Sequence, residues 1–167
     1  SEKDQLLEEV ILANFAQQGL TLATAESCTG GYIASMLTSI SGSSSVFMGS
    51  AVTYSNAAKV KILGLRESTL ASVGAVSEET VREMAEGARK CFETDYAISN
   101  SGIAGPTGGT AEKPVGTVWI AIAGRKRTVA QKYQFKNDRK INIEHSAAAA
   151  LALLWKIYKE EESADLK

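Results

Sequence analysis

The fold of this 167-residue chain is decided by the stretch LTLATAESCTGG, residues 20–31. Apolar and polar residues alternate over residues 20–25, which predicts a half-buried strand. Small polar residues at 26–31 then break this pattern, and a helical pattern follows to about Ile40. A strand that passes through a tight turn into a helix is the unit of α/β sheets, so this stretch predicts an α/β fold.

The rest of the chain continues the alternation of strands and helices. Helical spacing predicts a first helix that ends at Gly19, a short helix capped by Asn56, a helix from Ser77 to about Phe92, and a last helix from residue 137 or 138 to 159–162. Further strands are predicted at residues 46–54, 96–101, 115–123 and 128–135, the last two as an antiparallel hairpin. We therefore predict one domain over residues 1–167, a three-layer α/β/α sandwich with a mixed, mostly parallel sheet closed by a C-terminal hairpin.

Composition and length exclude several classes of protein. Hydrophobic residues make up 44% of the chain and charged residues 22%, which is typical of a globular domain and not of a disordered chain. The longest apolar run, residues 147–155, is about half as long as a membrane span, so we expect no membrane partner. The chain does not open with a basic segment followed by an apolar one, and we expect a cytoplasmic protein.

Zinc and nucleic-acid binding are also disfavoured. Two cysteines and one histidine are too few for a structural zinc site or a disulfide framework. The net charge of −1 argues against nucleic acid as the main partner of the surface. Basic residues do cluster within residues 125–140, where they could face an anionic ligand or form a solvated strand edge and helix start.

Three segments carry residues suited to chemistry, and each follows a predicted strand. They are AESCTGG (residues 25–31), TYSNAAK (53–59) and SGIAGPTGG (101–109). Ligand crevices in open α/β sheets form at the carboxyl ends of the strands. If the three strands are parallel neighbours, the three loops converge on one pocket.

Ser27 lies at a turn between a strand and a helix, where a hydroxyl is exposed. The following N–H groups, of Cys28, Thr29 and Gly30, can face an oxyanion that forms beside it. The arrangement is similar to a nucleophile elbow but lacks the G-x-S-x-G pattern, and a serine here could instead only cap the helix. Cys28 is a rival nucleophile that His145 could assist, although His145 is better explained as a residue flanking the apolar face of the last helix.

Lys59 is the candidate base for Ser27, because the chain offers a single histidine. An amine can accept a proton near pH 7 when burial or a positive neighbour lowers its pKa. Tyr54, five residues earlier, could donate or relay a proton. The alternatives are an exposed helix lysine at Lys59 and a half-buried strand aromatic residue at Tyr54.

Residues 102–116 hold five of the 14 glycines and both prolines. Proline fixes φ and glycine adopts conformations closed to other residues, so this segment is a rigid, shaped loop. Its N–H groups could face an anion, although it matches neither the Walker A nor the G-x-G-x-x-G motif. We expect it to wall a pocket for a substrate with one phosphate; a plain connection between strands is the alternative.

With GAVSE (residues 74–78) and EKPVGTV (112–118), these motifs resemble the CinA C-terminal domain family, and the resemblance covers essentially the whole chain. The family's characterised activity is hydrolysis of the carboxamide of nicotinamide mononucleotide (NMN) to nicotinate mononucleotide and ammonia, a step of pyridine nucleotide salvage. The resemblance implies a serine nucleophile at Ser27, a lysine base at Lys59 and a catalytic tyrosine at Tyr54. It implies no metal or organic cofactor, and it suggests a homodimer or a larger homo-oligomer.

The resemblance also indicates where the substrate binds. The phosphate and ribose would lie against the glycine-rich loop, and Arg139 is a further phosphate ligand that could act from a neighbouring subunit. The expected contacts around this loop and the start of the second helix are Gly31, Asn100, Gly102, Gly105, Thr107, Gly108 and Gly109.

Two other functions are kept as alternatives. A non-catalytic nucleotide-sensing module would retain the pocket, and a Lys59 side chain salt-bridged at the surface, far from Ser27, would favour that function. A nucleic-acid-associated role is suggested by the basic segment, but the net charge and the lack of a reading helix or an aromatic platform oppose it.

Overall fold

Within residues 4–166, which the computed structural model describes, the chain forms five strands. They are β1 (Leu22–Glu26), β2 (Phe47–Val52), β3 (Tyr96–Gly102), β4 (Thr117–Ala123) and β5 (Thr128–Gln134). One sheet contains all five in the order β2, β1, β3, β4, β5. The predictions drawn from residues 1–3, and the two ends of the predicted domain, lie outside the described residues.

Strand direction separates the sheet into two parts. β1 pairs in parallel with β2 on one side and with β3 on the other. β3 and β4 are antiparallel, as are β4 and β5. Only β4 therefore runs against the other strands, and the predicted mixed, mostly parallel sheet with a C-terminal hairpin is confirmed.

Six α-helices cover the two faces of this sheet within the described residues. They are α1 (Leu7–Gln18), α2 (Tyr32–Thr38), α3 (Asn56–Leu63), α4 (Glu67–Val73), α5 (Glu78–Phe92) and α6 (Arg139–Asp165), with a 3-10 turn at Ser43–Ser45. α1, α2 and α6 share one apolar core with the sheet, in which Phe15 and Leu154 pack with Ile98. α5 forms the other core, on strand residues that are mostly alanine. These three layers confirm the predicted α/β/α sandwich.

The chain crosses the sheet so that β1 lies at a switch point. The connection from β1 to β2 runs through α2 on one face, and the connection from β2 to β3 runs through α5 on the other. Crevices open at the carboxyl ends of strands where the direction of winding changes in this way. The fold thus directs a binding site to the end of β1, next to the end of β3.

Most of the predicted helix ends agree with the structure, and one cap does not. Gly19 ends α1 with a positive φ of 68°, and the Ser77 hydroxyl caps α5 by accepting from the Thr80 N–H, as predicted. Asn56, predicted as the cap of α3, is instead its first residue, and the Ser55 hydroxyl accepts from Ala58 N. α4 was not predicted.

None of the helices in residues 4–166 is long and apolar enough to cross a membrane.

Candidate active site

The carboxyl ends of the three parallel strands lie side by side. Glu26, the last residue of β1, is in register with Val52 of β2 and with Asn100 of β3. The segments that follow, which begin at Ser27, Thr53 and Ser101, therefore leave the same edge of the sheet. The predicted convergence of the three loops is confirmed.

A cavity of about 270 Å³ opens where these loops meet. Its volume is close to the lower end of the roughly 300–1,000 Å³ typical of small-molecule sites. Its lining combines residues from the ends of β1 and β3, helix α3, the loop before α5 and the start of α6: Ser27, Cys28, Tyr54, Asn56, Lys59, Ala75, Val76, Ser101, Gly102, Ile103, Ala104, Gly105, Thr107, Gly108 and Arg139.

Ser27 and Lys59 are in contact inside this cavity. Lys59 Nζ lies 3.0 Å from Ser27 Oγ, 2.8 Å from the carbonyl oxygen of Thr53 and 3.4 Å from that of Tyr54. Lys59 is only 1% exposed, and Ser27, whose hydroxyl was predicted to be exposed at the turn, is only 7% exposed because the three loops enclose it. The helix that carries Lys59 begins at the Ser55 cap, directly after β2, so its first turn brings the amine back to the sheet edge. The ordinary alternative of an exposed lysine is excluded by this burial.

Burial lowers the pKa of Lys59 below the ordinary lysine value, because desolvation penalises the charged ammonium; the nearby Cys28 thiol acts in the opposite direction. Two of the three atoms that touch Nζ are carbonyl oxygens, which can only accept. A neutral amine can donate its two hydrogens to those carbonyls and keep its lone pair for the Ser27 hydroxyl. The contacts therefore suit an amine that accepts a proton from Ser27.

Asn100 differs from its predicted role as a substrate contact. It is fully buried, and its Oδ1 accepts from the backbone N–H groups of Ser27 (3.3 Å) and Thr29 (3.4 Å). Its Nδ2 donates to Thr29 Oγ1 at 2.8 Å. Both ends of the amide are thus used to hold the turn that carries Ser27, and Asn100 is not in the cavity lining.

The same contacts change the predicted set of oxyanion donors. The Thr29 N–H points to Asn100, and the Gly30 N–H donates to the Ser27 carbonyl at 3.1 Å. Within the described residues, the Cys28 N–H has no acceptor among the hydrogen bonds of this turn. Of the three predicted donors, the Cys28 N–H is therefore the one that is not bound to another group of this turn.

Cys28 and His145 do not form a second catalytic pair. The Cys28 thiol is buried and donates to Asn100 Oδ1 at 3.3 Å. Burial, the dominant effect, raises the pKa of Cys28 to about 12, so the thiolate is scarce at neutral pH. The His145 ring lies on α6, 6.0 Å from the Phe135 ring, which agrees with the structural explanation of this residue.

Tyr54 lies at the mouth of the cavity and not beside the Ser27 hydroxyl. Its side chain is 63% exposed, and its phenol accepts from Arg139 Nη2 at 3.2 Å. Only its backbone carbonyl contacts Lys59. Arg139 also donates to the Gly105 carbonyl at 2.8 Å, so it reaches the cavity of its own chain.

The glycine-rich loop is tied to the start of α6 by its carbonyl groups. The Ala104 carbonyl accepts from Asn142 Nδ2 at 3.0 Å, next to the contact between Gly105 and Arg139. Asn142 is buried and also binds the backbone of Asn137 through both ends of its amide. The carbonyl groups of Ala104 and Gly105 are therefore fixed by the first turn of α6.

Of the remaining residues predicted to bind substrate, some line the cavity and others lie outside its lining. Gly102, Gly105, Thr107 and Gly108 line the cavity. Gly31 and Gly109 do not: Gly31 caps α2 with a φ of 101°, and a Cβ on Gly109 would lie 2.7 Å from Val115 N. Elsewhere in the basic segment 125–140, Lys126 and Arg127 pair with Asp165 and Glu160 at the surface, as the solvated alternative expects.

Two supporting residues were missed by the sequence analysis. Glu26 is fully buried, directly before Ser27 in the chain. A single carboxylate at the end of an otherwise uncharged strand is the sequence feature that could have indicated it. Asn142 interrupts the apolar pattern of the last helix.

No group of three or more His, Cys, Asp or Glu side chains suited to a metal ion occurs in the part of the chain that the structure describes.

The fold and this cavity define a class: a three-layer α/β domain with a buried serine–lysine pair at the carboxyl edge of its parallel strands. The family model described as the CinA C-terminal domain matches residues 4–158. The chain therefore belongs to the CinA C-terminal domain family.

Individual relatives agree with this assignment. Nicotinamide-nucleotide amidohydrolase PncC of Escherichia coli (strain K12) is 52% identical over 156 residues, which cover 93% of this chain and 94% of PncC. A CinA-like protein of Desulforapulum autotrophicum is 50% identical over 157 residues, but this chain spans only 37% of that longer protein. The crystal structure of the competence/damage inducible protein CihA from Agrobacterium tumefaciens superposes with a TM-score of 0.89 at 40% identity, covering 91% of this chain and 93% of that one.

Proposed function

We propose that this protein hydrolyses the carboxamide of NMN to nicotinate mononucleotide and ammonia. The observation that carries the proposal is the 3.0 Å contact between Ser27 Oγ and a buried Lys59 Nζ in a cavity of small-molecule size. The substrate comes from the similarity to PncC, which is named as a nicotinamide-nucleotide amidohydrolase and matches 93% of this chain.

The reaction begins with proton transfer from Ser27 to neutral Lys59. Ser27 Oγ attacks the carboxamide carbon and forms a tetrahedral intermediate with a negative oxygen. The free N–H of Cys28, next to the nucleophile, is the backbone donor best suited to hold this oxygen. The resulting Lys59 ammonium keeps its contacts with the carbonyl oxygens of Thr53 and Tyr54, which stabilise the positive charge.

Release of ammonia uses the proton that Lys59 has gained. The Lys59 ammonium protonates the amide nitrogen, the C–N bond breaks, and an ester of nicotinate mononucleotide remains on Ser27. Lys59, neutral again, then takes a proton from water as the water oxygen attacks this ester. Breakdown returns the proton to Ser27 Oγ and releases the carboxylate product, so a single base serves both halves of the reaction.

Arg139 and the glycine-rich loop are the proposed phosphate site. The Arg139 guanidinium is held at the cavity by Gly105 and Tyr54 and retains further N–H donors for an anion. Gly105, Thr107 and Gly108 offer backbone N–H groups along the same wall. Tyr54, predicted to relay a proton, is better suited to orienting Arg139, because its phenol contacts the guanidinium.

The proposal is tested by incubating the purified chain with NMN and measuring ammonia and nicotinate mononucleotide together. We expect the two products in equal amounts, and a much lower kcat/KM for nicotinamide riboside, which lacks the phosphate. Absence of both products would contradict the proposed reaction. An equal kcat/KM for the riboside would contradict the proposed phosphate site.

The alternative of a non-catalytic sensing module receives no support from the site. Its expected sign was a surface Lys59 far from Ser27, and the observed Lys59 is buried against Ser27. The cytoplasmic location, the homo-oligomeric state and the lack of a nucleic-acid partner stay predictions. Sedimentation of the purified chain tests the oligomeric state.

A further inference from the structure

Glu26 is a charged residue without an ion pair among the described residues, yet it is fully buried. A buried carboxylate is stable only when hydrogen-bond donors replace its hydration. Its two oxygen atoms contact two backbone N–H groups and three hydroxyl groups, at distances from 2.7 to 3.2 Å: Thr29 Oγ1, Ile33 N, Ala34 N, Thr24 Oγ1 and Ser50 Oγ. Glu26 thus joins β1, β2 and the first turn of α2.

One of these contacts leads from Glu26 to the nucleophile. Thr29 Oγ1 accepts from Asn100 Nδ2 at 2.8 Å, so its own hydrogen is free to point to Glu26 Oε1, 2.7 Å away. This orientation leaves Asn100 Oδ1 to accept from the N–H of Ser27. Each group in the series therefore fixes the orientation of the next, from the carboxylate to the backbone of Ser27.

We propose that Glu26 is a positioning residue for the reaction: acting through Thr29 and Asn100, it fixes the Ser27 backbone and thereby holds Ser27 Oγ against Lys59. The inference rests on the proposed function of Ser27. Glu26 itself is not in the cavity lining. A purely structural role, as an anchor for the start of α2, would stabilise the fold without affecting the chemical step.

Glu26→Gln tests the inference because a glutamine replaces one acceptor oxygen by a donor group of the same size. A small displacement of a reacting atom can lower the rate by about 100-fold, and we expect a loss of kcat of roughly that size with little change in KM. Thr29→Val cuts the same series at its next member and should also lower kcat. Thr29→Ser keeps the hydroxyl and should recover most of that loss.

The double variant Glu26→Gln/Thr29→Val separates a connected series from two independent defects. If the two residues act in one series, the kcat of the double variant is no lower than that of the less active single variant. If they act independently, the fold-losses of kcat in the two single variants multiply in the double variant. Glu161→Gln is the matched control: Glu161 is also buried and also accepts a hydrogen bond from a hydroxyl, that of Tyr96, which is the first residue of β3 and lies at the strand end away from Asn100. It should change thermal stability and leave kcat unchanged.

The outcomes distinguish the two proposals. A parent that releases no ammonia from NMN, or a Ser27→Ala variant that still does, overturns the proposed function and this inference with it. If the parent is active through Ser27, then a parent-like kcat in Glu26→Gln, or multiplying losses in the double variant, overturns the positioning role alone. Should Glu26→Gln not fold, equal kcat in Thr29→Val and Thr29→Ser overturns it.

Discussion

Lys59 acquires its proposed role from its surroundings and not from its residue type. Lys61, two positions later on the same helix, is exposed to solvent, whereas Lys59 is only 1% exposed. Removing the ammonium from water lowers its pKa, and no carboxylate is paired with it among the described residues. A buried, unpaired amine is the lysine that can act as a base near neutral pH.

The lowered pKa sets the direction of the pH dependence. Only the neutral amine can accept the Ser27 proton, so kcat/KM should rise with pH as Lys59 loses its proton and then level off. The midpoint should fall below about 10.4, the ordinary lysine value. Lys59→Arg should be folded and inactive across this range, since a guanidinium stays protonated. A flat profile for the parent, or an active Lys59→Arg, would contradict the assignment of Lys59 as base.

Some residues of the site could be predicted from the sequence, and others could not. Ser27, Lys59 and the glycine-rich loop follow predicted strands, so their convergence could be inferred from the chain order. Asn100 and Glu26 could not be assigned in this way, because their roles depend on which hydrogen-bond partners the folded chain brings to them. Arg139 was predicted as a phosphate ligand from its place in the basic segment at a helix start, but its contact with Tyr54, 85 residues away in sequence, could not be predicted.

Helix α3 carries Lys59, and its position depends on a close approach to α5. A Cβ built on Gly87 of α5 would lie 2.1 Å from the carbonyl oxygen of Leu63, the last residue of α3. Only glycine permits this distance between the two helices. Lys59 and Leu63 are one turn apart, so a displacement of Leu63 is transmitted to the amine.

Gly87→Ala should therefore affect stability and activity together. Overpacking costs about 1–3 kcal/mol, which exceeds the gain of about 1 kcal/mol from the helix propensity of alanine over glycine. We expect a lower free energy of unfolding in urea and a lower kcat. Glu86→Ala, at an exposed position of the same helix, is the control and should change neither. An undiminished free energy of unfolding in Gly87→Ala would contradict the close approach of the helices.

Arg139, in the first turn of α6, lies at the cavity and is the proposed phosphate ligand. Arg139→Lys keeps the positive charge but loses the fork of N–H donors that joins Gly105 and Tyr54 and that is proposed to bind the substrate phosphate. Charge-assisted hydrogen bonds contribute about 1.5–3 kcal/mol, so we expect KM for NMN to rise roughly 10- to 100-fold, with a smaller change in kcat. Lys140→Arg, at the next and also exposed position, is the control. Unchanged KM in Arg139→Lys would remove Arg139 from the phosphate site.

The elements themselves were predicted to different degrees. α5 has a Ser77 cap, acidic residues in its first turn and a strong apolar face, and its bounds agreed with the prediction. The cap of α3 was assigned one residue late, because Ser55 and Asn56 are both good caps and only the folded backbone distinguishes them. α4 has no side-chain cap, and it is held by tertiary contacts of Thr69 and Leu70 that the sequence does not reveal.

At the scale of the whole molecule, residues 4–166 form two apolar cores, one on each face of a single sheet. Each core contains strand residues, so the loss of either face would expose the sheet that both share. The two tryptophans divide between the faces: Trp119 packs against the core of α5, and Trp155 packs against the core of α6. The chain thus contains one probe for each core.

We expect the two cores to unfold together. In Trp119→Phe the fluorescence reports on Trp155, and in Trp155→Phe it reports on Trp119. In each variant the fluorescence midpoint in urea should coincide with the midpoint of the far-UV circular dichroism. Midpoints that differ between the two probes would mean that the faces unfold separately, against the prediction of one domain.

The central claim is that Ser27 and Lys59 together hydrolyse the amide, and one measurement tests it most directly. Ammonia release from NMN is followed for the parent, Ser27→Ala, Lys59→Ala and Cys28→Ala, with thermal melting of each as a check of folding. We expect an active parent, a Cys28→Ala variant that keeps most of this activity, and losses of roughly 1,000-fold or more in the other two. A folded Ser27→Ala or Lys59→Ala that retains the parent rate would contradict the claim.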